Sequence, residues 1–136
     1  MNSSTHARTI VCTLVGLIGV FCLLIMSPTY RFAPKGIALP SQTVRAPISP
    51  ADVTLYEMMP NNVQNRVGEV RVEQAYTTDT PAARAVLFQK AKALAASLGA
   101  NGLVTGLFTP GQGEDIGNLY TYIGTAVYIP ASGAKQ

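Results

Sequence analysis

Along the chain the spacing of apolar positions changes several times, and each change marks an element. Residues 10–26, IVCTLVGLIGVFCLLIM, carry no charge. As a helix at ~1.5 Å per residue this run spans about 26 Å, near the lower limit for crossing a bilayer. Residues 28–50, PTYRFAPKGIALPSQTVRAPISP, show no period and hold five prolines, at 28, 34, 40, 47 and 50. Proline breaks helices and removes ladder donors, so an extended linker is expected there. VTLYEM (53–58) is rich in strand formers, and MPNNVQN (59–65) reads as a loop. VGEVRVEQ (67–74) alternates, with Val70 and Val72 on one face and Glu69, Arg71 and Glu73 on the other, which predicts a strand with one wet face.

The period then becomes helical. TTDTPAARAVLFQKAKALAASLG (77–99) sets Leu87, Ala91, Leu94 and Leu98 on one stripe, widened by Val86 and Ala95, with Thr80-Pro81 as N-cap and first helical residue. The alanine-rich face predicts a helix lying close on a sheet. LGANGLVTG (98–106) joins this helix to the next strand. Gly99 is expected to stop the helix in the left-handed region, and Asn101-Gly102 to form a second tight bend with positive φ tolerated at Asn101. LVTGLF (103–108) is read as a strand, TPGQGEDIGN (109–118) as a loop and LYTYIGTAVYIP (119–130) as a long final strand. The predicted fold class is α+β: a β-β-α-β-β domain over residues 51–130, one helix on one face of the sheet, preceded by an N-terminal transmembrane helix. A loose tail follows at 131–136.

The last strand has two faces. Leu119, Thr121, Ile123, Thr125, Val127 and Ile129 share one, and Tyr120, Tyr122, Gly124, Ala126 and Tyr128 share the other. The aliphatic face suits the helix. That assignment leaves Tyr120, Tyr122 and Tyr128, with Tyr56, as a row on an uncovered face. Tyrosine is both a good strand former and enriched at interfaces, so these four are the candidate interface residues. Gly99, Asn101, Gly102 and Gly124 are the candidate structural turn positions.

Charge changes the picture once the chain is divided. Residues 1–50 carry Arg8, Arg31, Lys35 and Arg45 and no acid; residues 51–136 carry six basic and seven acidic side chains, a net −1 within the chain's +3. The basic excess therefore flanks the apolar run, and the domain has no basic face to offer phosphates; no nucleic-acid partner is expected. The cysteines, Cys12 and Cys22, both lie in the apolar run, and His6 lies before it. The domain thus lacks a ligand set for a soft or borderline metal. Glu114-Asp115 in a Gly-rich loop read better as a solvated hairpin than as a calcium or phosphate site, since calcium takes more ligands and a phosphate loop opens a helix. With no histidine and no paired acid and base in the domain, no catalytic residue, no metal and no cofactor is expected.

The N-terminal segment has three readings: a cleaved signal, a lipoprotein signal at Cys22, or an uncleaved anchor. Small residues before a cut are poorly placed, and Phe21 before Cys22 fits the lipoprotein pattern badly, so the anchor over residues 10–26 is the expectation. Counting positive charges alone would leave the domain in the cytoplasm, whereas the short basic start before a long apolar run has the shape of an export signal. Export is preferred, which places the protein at the inner membrane with its domain in the periplasm.

Leu98, Gly99, Ala100, Val104 and Gly106, followed by Gly124, Thr125, Ala126 and Val127, resemble the signature of the YbjQ-type family of small bacterial proteins, and Val67-Gly68-Glu69-Val70 fits its second strand. The β-β-α-β-β order is similar to that of RcsF-like members, which also keep a Pro-rich stretch after their membrane attachment. The resemblance, over residues 50–130, implies the fold and a tendency to form ring oligomers. It also carries a heavy-metal-binding label that these residues do not support, and the cysteines that staple RcsF are absent. The expected role is a non-enzymatic, membrane-anchored envelope protein, a structural or assembly component of a secretion machine or envelope complex, working through protein–protein contacts as a homo-oligomer or with envelope partners. The alternatives are a small-ligand or cation-binding, envelope-sensing domain, and a cytoplasm-facing enzyme.

Overall fold

The computed structural model describes residues 33–43, 45–113 and 117–131. The apolar run 10–26 and the acidic pair Glu114-Asp115 lie outside the described residues. The fold is α+β. Its strands are β1 (Lys35–Pro40), β2 (Thr54–Tyr56), β3 (Asn65–Tyr76), β4 (Gly102–Gly113) and β5 (Gly117–Tyr128), with helix α1 (Pro81–Ser97) between β3 and β4. The strands form one five-stranded sheet in the order β1-β3-β5-β4-β2. β5 is antiparallel to both neighbours, so β3 and β4 run parallel to each other with α1 as their crossover; β2 adds a short parallel pairing to β4 at Gly102–Val104.

Two expectations change. The Pro-rich stretch is not only a linker: Lys35–Pro40 pairs antiparallel with Gly68–Glu73 of β3, and the folded unit reaches back to Pro34. The prolines sit where proline is tolerated, with Pro40 ending an edge strand and Pro50 opening a short 3-10 turn at Pro50–Asp52. The supposed loop at 109–118 is mostly ladder, since β4 and β5 remain paired out to Gly113↔Gly117. Pro110 fits there because β4 has no outer neighbour beyond β2.

α1 begins as its sequence dictates. The Thr80 hydroxyl accepts from the Ala83 amide at 3.2 Å, and Pro81 takes the first helical position. Leu87, Ala91, Ala95 and Ala96 form the buried face, with Leu94 and Leu98 half-buried beside it, while Val86 is exposed rather than part of the stripe. The core lies between this helix and Val67, Val70, Val72, Leu103, Tyr120, Tyr122 and Ala126 of the sheet.

Candidate functional site

The face of β5 that meets the helix is the tyrosine face. Register decides this. Val70 opposes Gly124, Val72 opposes Tyr122 and Gln74 opposes Tyr120, so the apolar side of β3 and the tyrosine side of β5 lie on one surface. Tyr120 and Tyr122 have no exposed surface, which corrects the expectation of an uncovered tyrosine row. The physical reason is complementarity of size. A helix face built from Ala91, Ala95 and Ala96 leaves room for large rings on the sheet beneath it. Tyr122 lies over Gly124, where an added Cβ would stand 2.6 Å from the Tyr122 hydroxyl. Gly124 is thus a mid-strand opening for a ring, not a turn. Tyr128 is half-buried under the Arg45 guanidinium, which sits 3.4 Å from its ring centroid. Tyr56 is half-buried on the edge strand β2.

Tyr120 heads an aromatic cluster at the start of the helix. It stacks on Tyr76 at 3.8 Å between centroids and meets Phe108 at 5.5 Å; Phe88 stands edge-on to Tyr122 at 5.6 Å. Its hydroxyl donates to Asp79 Oδ1, and Arg84 Nε donates to the same oxygen at 2.6 Å while its second nitrogen reaches Oδ2. Hydrogen bonds from Arg84 first and Tyr120 second hold the Asp79 carboxyl at about pH 2 instead of the ordinary value near 3.8. Arg84 is held more firmly protonated by Asp79, and burial raises the Tyr120 hydroxyl above its usual range. A carboxylate lowered by folding stabilises the fold above its unfolded value, and that contribution disappears as pH falls through the folded value. Asp79→Asn should therefore unfold at lower denaturant than the parent at pH 7, and the gap should close between about pH 4 and pH 2 as the parent carboxylate is protonated. Equal midpoints at pH 7 in urea titrations would show that the cluster does not stabilise the fold. Both carboxylate oxygens accept hydrogen bonds from groups of the same chain, an arrangement for anchoring the helix start rather than for abstracting a proton. Gln74 ties β3 to the same turn through Nε2 to the Ala83 carbonyl at 3.3 Å.

The joint at 98–102 has a second function that the sequence reading missed. Gly99 has φ +75°, the Gly99 amide donates to Ala96 O at 2.9 Å and the Ala100 amide to Ala95 O at 3.1 Å, the paired bonds of a Schellman stop. Asn101 does not take positive φ, because no non-glycine among the described residues does. Instead its side chain replaces a strand. Nδ2 donates to Ile129 O at 2.6 Å and Oδ1 accepts from Ile129 N at 2.7 Å, while its own carbonyl accepts from Thr54 N at 3.0 Å. Gly102 opens the space beside Val127, Ile129 and Tyr56. The supposed spacer continues from β1, where Ser41 N bonds Val67 O at 2.8 Å, to this joint, where Ile48 N bonds Ala96 O at 3.0 Å and Arg45 and Ala46 lie against Gly99.

The surface left open is the other side of the sheet, except around Val104 and Val127, which are buried on that side. Three cross-strand rows run over β1, β3, β5 and β4: Ile37, Arg71, Ile123 and Leu107; Leu39, Glu69, Thr125 and Val104; Lys35, Glu73, Thr121 and Thr109. Ile37, Leu39 and Leu107 are 55%, 43% and 46% exposed, large apolar side chains that the helix cannot reach. Sequence alternation on β3 already signalled this face through Glu69, Arg71 and Glu73; the signal was not carried across the register to β5.

Among the described residues no group of three histidine, cysteine, aspartate or glutamate side chains stands close enough to hold a metal. No family model matches the chain, and no curated protein matches it. Among solved structures, the chain is similar to the Francisella virulence factor FvfA, with a TM-score of 0.54 and 19% identity over 70% of this chain and 97% of that one, a likeness of fold.

Proposed function

We propose that the protein is a non-enzymatic, membrane-anchored component of a bacterial envelope assembly, attached through residues 10–26 and working by protein–protein contact. The observation that carries this reading is the open sheet face, where Ile37 and Leu39 of β1 are exposed beside charged Glu69, Arg71 and Glu73 of β3, with Leu107 exposed on β4 of the same face. Exposed apolar side chains sharing one sheet face with a row of charges are the composition of a contact surface. The groups with perturbed protonation point away from catalysis, since Asp79, Arg84 and Tyr120 satisfy one another. The uncharged run 10–26 and the resemblance to YbjQ-type and RcsF-like proteins support the anchored envelope setting. The corrected core moves the contact surface from the tyrosines to the opposite face. Full-length protein should stay with membranes through alkaline carbonate, its intact mass should include residues 10–26, and external protease should reach the domain only after the outer membrane is opened. Release by carbonate with a mass beginning after residue 26, or a domain protected until the inner membrane is broken, would overturn the placement.

A further inference from the structure

The charges on the open face are ordered. Going along β3, the side chains turned to this face are Arg66, Glu69, Arg71 and Glu73, alternating in sign. Arg66 shares one surface hollow with Leu39, Glu69, Arg71 and Thr125, which places it on the same side despite the bulge between Arg66 and Gly68. A pattern that alternates over an even number of positions is its own complement when read backwards. We propose that this face packs on the same face of a second copy of the chain, with β3 lying antiparallel over the partner's β3. The proposal rests on the assembly reading above and names the occupant of that surface.

A two-fold axis lying across the strands, between the Glu69 and Arg71 rows, returns every strand over its own copy in the opposite direction. Arg66 then faces the partner's Glu73, and Glu69 faces the partner's Arg71. The same rotation sets Ile37 against the partner's Leu39 and Ile123 against the partner's Thr125, so the apolar side chains of the edge strand meet one another. A two-fold axis along the strands would instead set Arg71 over the partner's Arg71 and Glu69 over the partner's Glu69. The charge order thus selects one of the two face-to-face arrangements. Within one chain Arg71 Nε already bonds Glu69 Oε1 at 2.6 Å with both side chains about half exposed, so pairing joins two existing ion pairs into a network without burying a lone charge. Strands ~4.8 Å apart and ~6.8 Å per same-face step give about 400 Å² a side, below a standard interface, so the pairing is weak in solution and is strengthened by confinement to a membrane.

The test uses the full chain in two differently tagged forms, co-expressed, solubilised in mild detergent, captured through one tag and quantified by the other. Parent should recover parent, and 0.5 M salt should lower the recovery several-fold. Glu69→Arg alone sets like charges against each other across the axis, as does Arg71→Glu alone; each should recover its own kind at least tenfold less. Because both remove the same exposed ion pair, both should fold alike by circular dichroism. Glu69→Arg on one chain with Arg71→Glu on the other restores every opposition, and recovery should return to the parent level. A single chain carrying both substitutions should also pair with itself. Single variants that recover themselves as well as the parent does would overturn the proposal, as would a mixture that fails to restore recovery. If the single variants instead lose a different co-purifying protein while self-recovery is unchanged, the face serves another partner and the proposal fails. Carbonate extraction of the same samples reads the anchor separately, so a parent chain that is held by the membrane yet fails to recover itself rejects the second copy and leaves the anchored reading standing.

Discussion

Tyr122→Ala should destabilise the protein by about 3–5 kcal/mol, the range for removing a large aromatic from a packed core. Set against the ~5–15 kcal/mol that holds a typical domain, this is a large share of the total. Tyr122 is fully buried, stands edge-on to Phe88 at 5.6 Å and lies over Gly124, which has no side chain to collapse into the space. The cavity would therefore stay open between α1 and β5. Tyr122→Phe should cost less than ~1 kcal/mol, because the hydroxyl's contact with Thr105 Oγ1 is a long 3.4 Å. Urea denaturation followed by far-UV circular dichroism measures both. Were the alanine variant within about 0.5 kcal/mol of the parent, the tyrosine could not be part of the core.

What could be read from the sequence follows from the range of each interaction. The helix, its Thr80-Pro81 start and its Gly99 stop depend on neighbours within a few positions, and local chemistry specifies them. The inner face of β3 was legible from Val70 and Val72 alone. The inner face of β5 was not, because Leu119 to Ile129 and Tyr120 to Tyr128 are both apolar enough to be buried. Only the pairing Val72↔Tyr122 decides between them, and a slip of one residue would exchange the faces. β1 was hidden for a different reason. Its six residues follow Pro34 and end on Pro40, and their strand character comes from the ladder offered by Gly68–Glu73 rather than from local propensity. Asn101 misled because asparagine suits left-handed turns, whereas here its amide plane completes a ladder with Ile129, a contact 28 positions away. The candidate surface was legible in half: Glu69, Arg71 and Glu73 announce a wet face, while Ile37, Leu39 and Leu107 join it only through register.

Gly99→Ala should cost about 2 kcal/mol or more, and through two separable causes. The first is local. At φ +75° an alanine carries the ~1–2 kcal/mol penalty of the left-handed region. The second is tertiary. An added Cβ would stand 2.5 Å from the Ala46 carbonyl oxygen and 2.6 Å from the Arg45 Cβ, so the segment crossing the joint must lift. Lifting it strains the Ile48 amide bond to Ala96 O, 3.0 Å, and the seat of Arg45 on Tyr128. Gly99→Asn separates the causes, because asparagine tolerates positive φ but still brings a Cβ. If the crossing segment dominates, Asn should cost nearly as much as Ala; if the dihedral dominates, it should cost distinctly less. Urea midpoints give the totals, and hydrogen exchange at the Ile48 amide reports the segment itself, with faster exchange expected in both variants. An unchanged midpoint together with unchanged Ile48 protection in Gly99→Ala would mean that neither the helix stop nor the segment packed on it needs glycine at this position.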